Sequence, residues 1–245
     1  MRIAILSDLH SNLEALTRVC EHAAALGAER YVCLGDFIGY GADPAPVLER
    51  VMALPGLVAV RGNHDEALFR EMGREAFPEI RRAIAWTRER LSPVQLNFLD
   101  GLPLLVHDGR VTYAHASAHQ PDAWEYLRQP DQIPACLEAA GTPMTFIGHV
   151  HVPRVFYETA AGAVRELVPQ DGMAVPLSVS ARYVINVGSV GQPRDGNNAA
   201  CYVLYDNVAH EVTFHRLAYD YVTTARKIRD AGLSPFFAER LAYGR

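Results

Sequence analysis

Four cysteines in 245 residues, Cys20, Cys33, Cys136 and Cys201, are too few and too scattered for a disulfide framework. No CxxC pair is present to hold a closed structural zinc. Cys20 falls in a helical pattern and Cys33 and Cys201 in apparent strands, so buried, reduced thiols are expected, and with them a cytoplasmic setting. Long apolar runs are also missing. The first, Ile3 to Leu6, is too short for a signal peptide or a membrane span, so no membrane association is expected. A basic excess is absent too: 23 Lys and Arg against 28 Asp and Glu give a formal net charge of −5 and a pI of about 6.0. That balance makes a nucleic-acid polymer an unlikely partner, because sequence-independent binding needs a basic face. There are no repeats, low-complexity tracts or linkers. With 49% hydrophobic and 21% charged residues, one globular domain over 1–245 is expected.

Five short apolar runs each end in residues that bind metals. Ile3 to Leu6 leads into Asp8 and His10, and Tyr31 to Leu34 into Gly35-Asp36. Leu57 to Val60 leads into Gly62-Asn63-His64-Asp65, Val111 to Ala114 into His115, and Met144 to Ile147 into Gly148-His149-Val150-His151. Runs of this length and β-branched content predict strands buried on both faces. In such sheets ligands collect beyond the carboxyl ends of the strands. Helical stretches follow the first two strands: one opened by Ser11-Asn12 and stopped at Gly27, one from about Pro44 to Leu54. This β-α-β-α-β order predicts a parallel sheet.

The seven candidate ligands divide between two divalent cations. Asp8, His10, Asp36 and His151 form one set; Asp36, Asn63, His115 and His149 form the other, with the Asp36 carboxylate bridging. A nitrogen and oxygen shell without thiolates suits Mn, Fe, Co, Ni or Zn, with Mn²⁺ the first expectation. Two such ions, two aspartates and a hydroxide leave a net positive charge, which favours an anionic phosphoester as substrate.

Residues 65–100 read as helical, with Ile80, Ile84 and Leu91 at helical spacing and Ser92-Pro93 restarting a short helix. The last hundred residues change character. Val155–Tyr157, Val164–Val168, Tyr183–Val187, Ala200–Tyr205 and Glu211–Leu217 read as strands, with a hairpin turn at Asp206-Asn207. They suggest a second, mostly antiparallel sheet packed on the first. Tyr221–Arg229 and Pro235–Tyr243 read as closing amphipathic helices. Asn12 is a candidate phosphate contact or a helix cap, and Arg194 a candidate phosphate cation or a surface arginine. His119, Asp122, Trp124 and Tyr126, within the irregular 116–135 stretch, are candidates for the border of the cleft. His22, His107, His210 and His215 read as structural.

The series Asp8-Leu9-His10, Gly35-Asp36, Gly62-Asn63-His64-Asp65, His115 and Gly148-His149-Val150-His151 resembles the calcineurin-like metallophosphoesterase superfamily. Asn186-Val187-Gly188-Ser189-Val190-Gly191-Gln192-Pro193-Arg194 is similar to its small prokaryotic phosphodiesterase branch. The resemblance implies a four-layer α/β/β/α sandwich with two packed mixed sheets and a phosphoester hydrolase working by in-line attack of a hydroxide shared by two metals. It makes His64 the general acid or transition-state stabiliser facing the leaving oxygen and places Asn63 near substrate. Where protein phosphatases of the superfamily read Gly-Asp-x-x-Asp-Arg-Gly, this chain has Gly39 and Tyr40 for the Asp-Arg pair. The aspartate that orients the histidine and the arginine that clamps a phosphate are both replaced, so a small or nucleotide-like diester suits the site better than a dianionic monoester. The other readings of the same residues are a phosphomonoesterase or protein phosphatase, a non-catalytic metal-bound scaffold and a DNA nuclease. Assembly is left open.

Overall fold

The computed structural model describes residues 1–70 and 77–245. From the N-terminus run β1 (Arg2–Leu6), α1 (Leu13–Ala25), β2 (Arg30–Cys33), α2 (Pro44–Met52), β3 (Val58–Ala59), α3 (Asn63–Glu66), α4 (Pro78–Arg88) and α5 (Pro93–Asp100). Then come β4 (Leu105–Asp108), β5 (Val111–Ala114), α6 (Ile133–Ala140), β6 (Met144–Ile147), β7 (Arg154–Glu158), β8 (Val164–Leu167) and β9 (Ala174–Pro176). β10 (Tyr183–Asn186), β11 (Ala200–Asp206), β12 (Glu211–Leu217), α7 (Tyr221–Asp230) and α8 (Pro235–Tyr243) complete the chain.

These strands make two six-stranded mixed sheets, ordered β3-β2-β1-β11-β12-β9 and β4-β5-β6-β10-β7-β8. Strand alternation explains why the motif strands are apolar throughout. Ala4 and Leu6 of β1 face the helices, while Ile3 and Ile5 face the second sheet. Tyr31 and Cys33 against Val32 and Leu34 repeat the pattern in β2. Between the sheets pack Ile5, Tyr113, Phe146, Ile185, Val203 and Phe214. α1, α2 and α5 cover the outer face of the first sheet, and α6 that of the second, giving the four layers expected.

The division of strands between sheets departs from expectation. The five motif strands do not share one sheet: β1, β2 and β3 run parallel in one, β5 and β6 in the other. The later strands complete both sheets, β11 pairing antiparallel with β1 and β10 parallel with β6. Local patterning carries no information on such long-range pairing. β4 and β9 were not foreseen; both are short, with little alternation. The hairpin lies where expected but spans 207–210, because Asp206 Oδ1 caps a wider turn by accepting from Val208 and Ala209 N–H. The helical stretch from Asp65 splits into α3, α4 and α5, and its 71–76 portion lies outside the described residues. Ser92 caps α5 as predicted, accepting from Gln95 N–H at 3.3 Å. All four cysteines are buried and free. Among the described residues no helix is long and apolar enough to cross a membrane.

α7 and α8 pack on α1 and α4 and close over Tyr40 through Ala225, Ile228, Phe237 and Leu241. Lys227, the only lysine in the sequence, joins three helices: its Nζ lies 2.5 Å from Glu14 Oε1 and 2.7 Å from Asp43 Oδ2. Burial opposes the ammonium charge, but the two carboxylates outweigh it and raise its pKa. A raised folded-state pKa gives stability that is complete below the unfolded lysine value and is lost as pH rises through the folded one. Lys227→Met should therefore lower unfolding stability by about 1–2 kcal/mol. In urea titrations the gap from wild type should hold steady from about pH 7 to 9 and narrow above roughly pH 10.5.

Candidate metal centre

The loops that leave the motif strands are sewn to one another by main-chain hydrogen bonds. Asp8 N–H donates to Gly35 O at 3.1 Å, His10 N–H to Asp36 O at 3.0 Å, and Gly148 N–H to His115 O at 2.8 Å. The Asn186–Arg194 segment closes the back: Gly191 N–H and Ser189 Oγ both donate to Asp8 O at 2.9 Å. Asn186 Nδ2 donates to Gly148 O at 2.7 Å. Asp8, His10, Asp36, His149 and His151 all have φ between 47° and 66°, a left-handed conformation that costs a non-glycine residue free energy. Five of the seven expected ligands share it. Gly148 permits the crossing, since a Cβ there would strike Ser7 Oγ.

The side chains meet in the two expected sets. One ligand atom from each of Asp8, His10, Asp36 and His151 lies within 4.8 Å of the others, and so do those of Asp36, His115 and His149. Asn63 Oδ1 sits 3.2 Å from His115 Nε2 and completes the second set. Asp36 Oδ2 lies 3.7 Å from His10 Nε2 and 3.5 Å from His115 Nε2, between the two groups. Its other oxygen accepts from His64 N–H at 2.9 Å. All these ligands are buried except Asn63, which is partly so.

The tautomers are set by carbonyl groups, which can only accept. His10 Nδ1 faces Ile38 O at 3.1 Å, His115 Nδ1 faces Leu34 O at 2.7 Å, and His151 Nδ1 faces Gln192 O at 2.6 Å. Each Nδ1 therefore carries a proton, leaving the Nε2 lone pair directed inward. His149 is reversed: its Nε2 donates to Trp124 O at 3.0 Å, and its Nδ1 points at His115 Nε2, 3.1 Å away. His10 Nε2 and His151 Nε2 stand 3.2 Å apart. Asp8 Oδ1 is buried without a hydrogen-bond partner, 3.1 Å from His151 Nε2. Acceptors aimed at acceptors, with the N–H groups turned outward, fit divalent cations.

Electrostatics agree. Burial works against ionising Asp8, yet His151 and His115 outweigh it and hold its carboxyl well below the usual range. Asp36 is lowered in the same way, chiefly by His115 and His64. Burial pulls His10 and His151 down, and His149 to about 3. Burial also opposes charge on His115, but Asp36 and Asp8 push it up to about 9. The aspartates thus demand positive charge here, which a divalent cation supplies in place of a proton.

Three features escaped the sequence reading. Asp65 holds the Gly35-Asp36 loop, accepting N–H from Asp36 at 2.8 Å, Phe37 at 3.0 Å and Gly62 at 2.9 Å. Burial and the Asp36 charge push its carboxyl up to about 7, against those donors. Tyr40 replaces the missing carboxylate beside His64: its hydroxyl lies 3.0 Å from His64 Nε2. His64 Nδ1, which a Cβ on Gly39 would strike, has no hydrogen-bond partner, and burial holds His64 below its ordinary pKa. The third is the Trp124 carbonyl on His149. Positive φ at Tyr40 and Trp124 has no local sequence signal in residues of this type.

Asn12 caps α1. Its Oδ1 accepts from Ala15 N–H at 3.1 Å and from Thr224 Oγ1, and its Nδ2 donates to Gly191 O. Arg194 reaches the site, its guanidinium carbon 5.7 Å from the centre of the Tyr40 ring. Tyr126 stacks on His149 at 4.1 Å and Trp124 meets His115 edge-on at 5.8 Å, so both border the centre. Asp122 is exposed in a short turn, and His119 is only half-buried. His22 and His215 pack against Tyr202 on the outer helix-covered side, and His107 faces Thr112 Oγ1. His210 is exposed in the β11–β12 turn.

Residues 1–209 match the calcineurin-like phosphoesterase superfamily domain. An uncharacterized protein of Methanocaldococcus jannaschii is 36% identical over 251 residues, covering 99% of this chain and 98% of its own. The crystal structure of a metallophosphoesterase from Sphaerobacter thermophilus is 38% identical and superposes with a TM-score of 0.89 over 100% of this chain and 99% of that one. A hypothetical protein from Pyrococcus horikoshii, 20% identical, shares the fold at a TM-score of 0.81, with 100% and 98% covered. The ligand constellation, the two-sheet sandwich and these similarities agree: the chain belongs to the calcineurin-like phosphoesterase superfamily.

Proposed function

We propose that the protein is a phosphodiesterase that hydrolyses small or nucleotide-like diesters with two divalent cations, manganese first among them. The observation that carries this reading is the convergence of four imidazole lone pairs on two buried carboxylates, each fixed by an outer carbonyl or N–H. Asp8, His10, Asp36 and His151 would hold one cation, and Asp36, Asn63, His115 and His149 the other. When bound, such a pair supplies Lewis acidity toward phosphate oxygens and an ionised water near neutral pH.

The chain's own residues define what surrounds the phosphate. His64 stands beside the centre, 4.9 Å ring to ring from His10, with one ring nitrogen against Tyr40 Oη and the other without a partner. It can carry a proton at the leaving oxygen, and Tyr40 fixes the ring plane. Burial keeps the Tyr40 hydroxyl protonated by raising its pKa, so it can donate. A carboxylate beside His64 would favour an imidazolium; a neutral phenol does not. Among the described residues Arg194 is the cationic side chain placed over Tyr40, a modest charge complement that suits a singly charged diester.

Asp36→Asn should reduce metal from about two ions per chain to one or fewer by elemental analysis, and weaken retention of the remainder by roughly 10–100-fold or more. Removing metal from wild type with a chelator should lower the melting temperature, and returning Mn²⁺ should restore it; about 2.7 kcal/mol is expected at a hundredfold excess over Kd. His64→Ala should keep its metal yet lose about 10²–10⁴-fold in turnover of bis(p-nitrophenyl) phosphate. Wild type should cleave that diester faster than p-nitrophenyl phosphate. Full metal loading with no turnover of either ester would favour a non-catalytic scaffold.

A further inference from the structure

Two half-buried arginines, Arg194 beside Tyr40 and Arg240 on α8, have no Asp or Glu partner among the described residues, unlike Arg30, Arg182 and Arg216, which are each paired. Arg194 spends Nε and Nη2 on the neutral Gln192 Oε1, at 3.3 and 2.9 Å. Arg240 donates Nε to the main-chain oxygen of Arg245 and lies with its guanidinium carbon 5.1 Å from the centre of the Phe236 ring, and its terminal nitrogens make no hydrogen bond among the described residues.

They come from different elements that meet at Tyr40. Arg194 lies over the Tyr40 ring, which also packs against Phe237, 5.0 Å away on α8. Arg240 follows Phe237 by three residues and so projects from the same side of the helix. The end of α8 is tied to the Arg194 loop: Gly196 N–H donates to Gly244 O at 2.9 Å, and Asn198 Nδ2 to Ala242 O. Burial, and next the repulsion from Arg194, depress Arg240 to about 10, while Tyr40 and Tyr126 pull the other way. These are the neighbours expected of a side chain at the mouth of the centre.

We propose that Arg194 and Arg240 form an anion subsite on the His64 side of the metal centre, for a second phosphate carried by the leaving part of the substrate. Two guanidiniums that repel each other with no Asp or Glu between them are satisfied by a phosphate that both reach, through charge-assisted hydrogen bonds. The proposal rests on His64 facing the leaving group. The corresponding substrate class has one esterified phosphate linked to another. Water adds across the P–O–P bond, one phosphorus gains the oxygen, and the bridging oxygen leaves on the second phosphate.

The test uses the full chain as wild type, Arg240→Met, Arg240→Lys and Arg194→Met. Calorimetric titration of chelator-treated protein with inorganic pyrophosphate and orthophosphate reads the subsite directly. Wild type should prefer pyrophosphate, Arg240→Met and Arg194→Met should lose about tenfold or more of that preference, and Arg240→Lys should keep part of it. In Mn²⁺, the ratio of kcat/KM for diadenosine diphosphate over bis(p-nitrophenyl) phosphate should fall by a similar factor. Absence of a pyrophosphate preference in wild type, or its persistence in an Arg240→Met protein that melts like wild type, overturns the proposal. If Arg240→Met fails to fold, Arg194→Met and Arg240→Lys give the same reading. Arginine-dependent pyrophosphate binding without turnover of any phosphoester supports the subsite and sinks the hydrolase reading instead.

Discussion

Four imidazole nitrogens, two carboxylate oxygens and an amide oxygen face one another in a buried volume whose N–H groups point outward. Without positive charge this arrangement is repulsive, and the fold around it consists largely of what is needed to keep it. Ligands arrive from strands of both sheets, so the centre bridges them; each sheet contributes part of each cation set. The backbone at Asp8, His10, Asp36, His149 and His151 is left-handed. Each such residue costs on the order of 1 kcal/mol or more. The cost is tolerated because the loops are over-determined by crossing main-chain hydrogen bonds and by Asp65.

The gathering of these side chains into two groups was legible because each sits just past an apolar strand, and strand ends are what local patterning marks best. The helix caps at Asn12 and Ser92 were legible for the same reason: a side-chain oxygen answers to donors within three residues. The partition of β1, β2 and β3 from β5 and β6 was not, since it depends on β10 and β11 inserting between strands far away in sequence. Tyr40 and Trp124 escaped because their contributions, a hydroxyl on His64 and a carbonyl on His149, follow from positive φ in residues that rarely adopt it. Asn12 was ambiguous in sequence, and the structure shows the cap.

The superfamily match ends at residue 209, yet the chain beyond it shapes the mouth of the centre. α7 is anchored by Lys227 to α1 and α2, and α8 lays Phe237 on Tyr40. Tyr40 in turn lies 4.5 Å from the rings of both His10 and His64. One contiguous aromatic path therefore runs from the C-terminal helix to a metal ligand and to the proposed acid. On the opposite side, the 116–135 stretch supplies Trp124 and Tyr126 against His115 and His149. The chain beyond the matched domain and the 116–135 stretch within it thus both border the centre.

Gly39 and Tyr40 act as one unit. Gly39, at φ 94°, leaves the His64 ring room where any side chain would collide, and that same opening lets Tyr40 turn inward and reach Nε2. A carboxylate at that point would add negative charge close to Asp36 and favour a permanently charged imidazolium. The phenol orients His64 without charging it. In the proposed reading the positive charge near the leaving group comes instead from the guanidiniums of Arg194 and Arg240. Orientation and charge, often supplied by one carboxylate–arginine pair, are here separated onto different elements, so that His64 keeps its geometry while the cationic rim follows the leaving group it must accommodate.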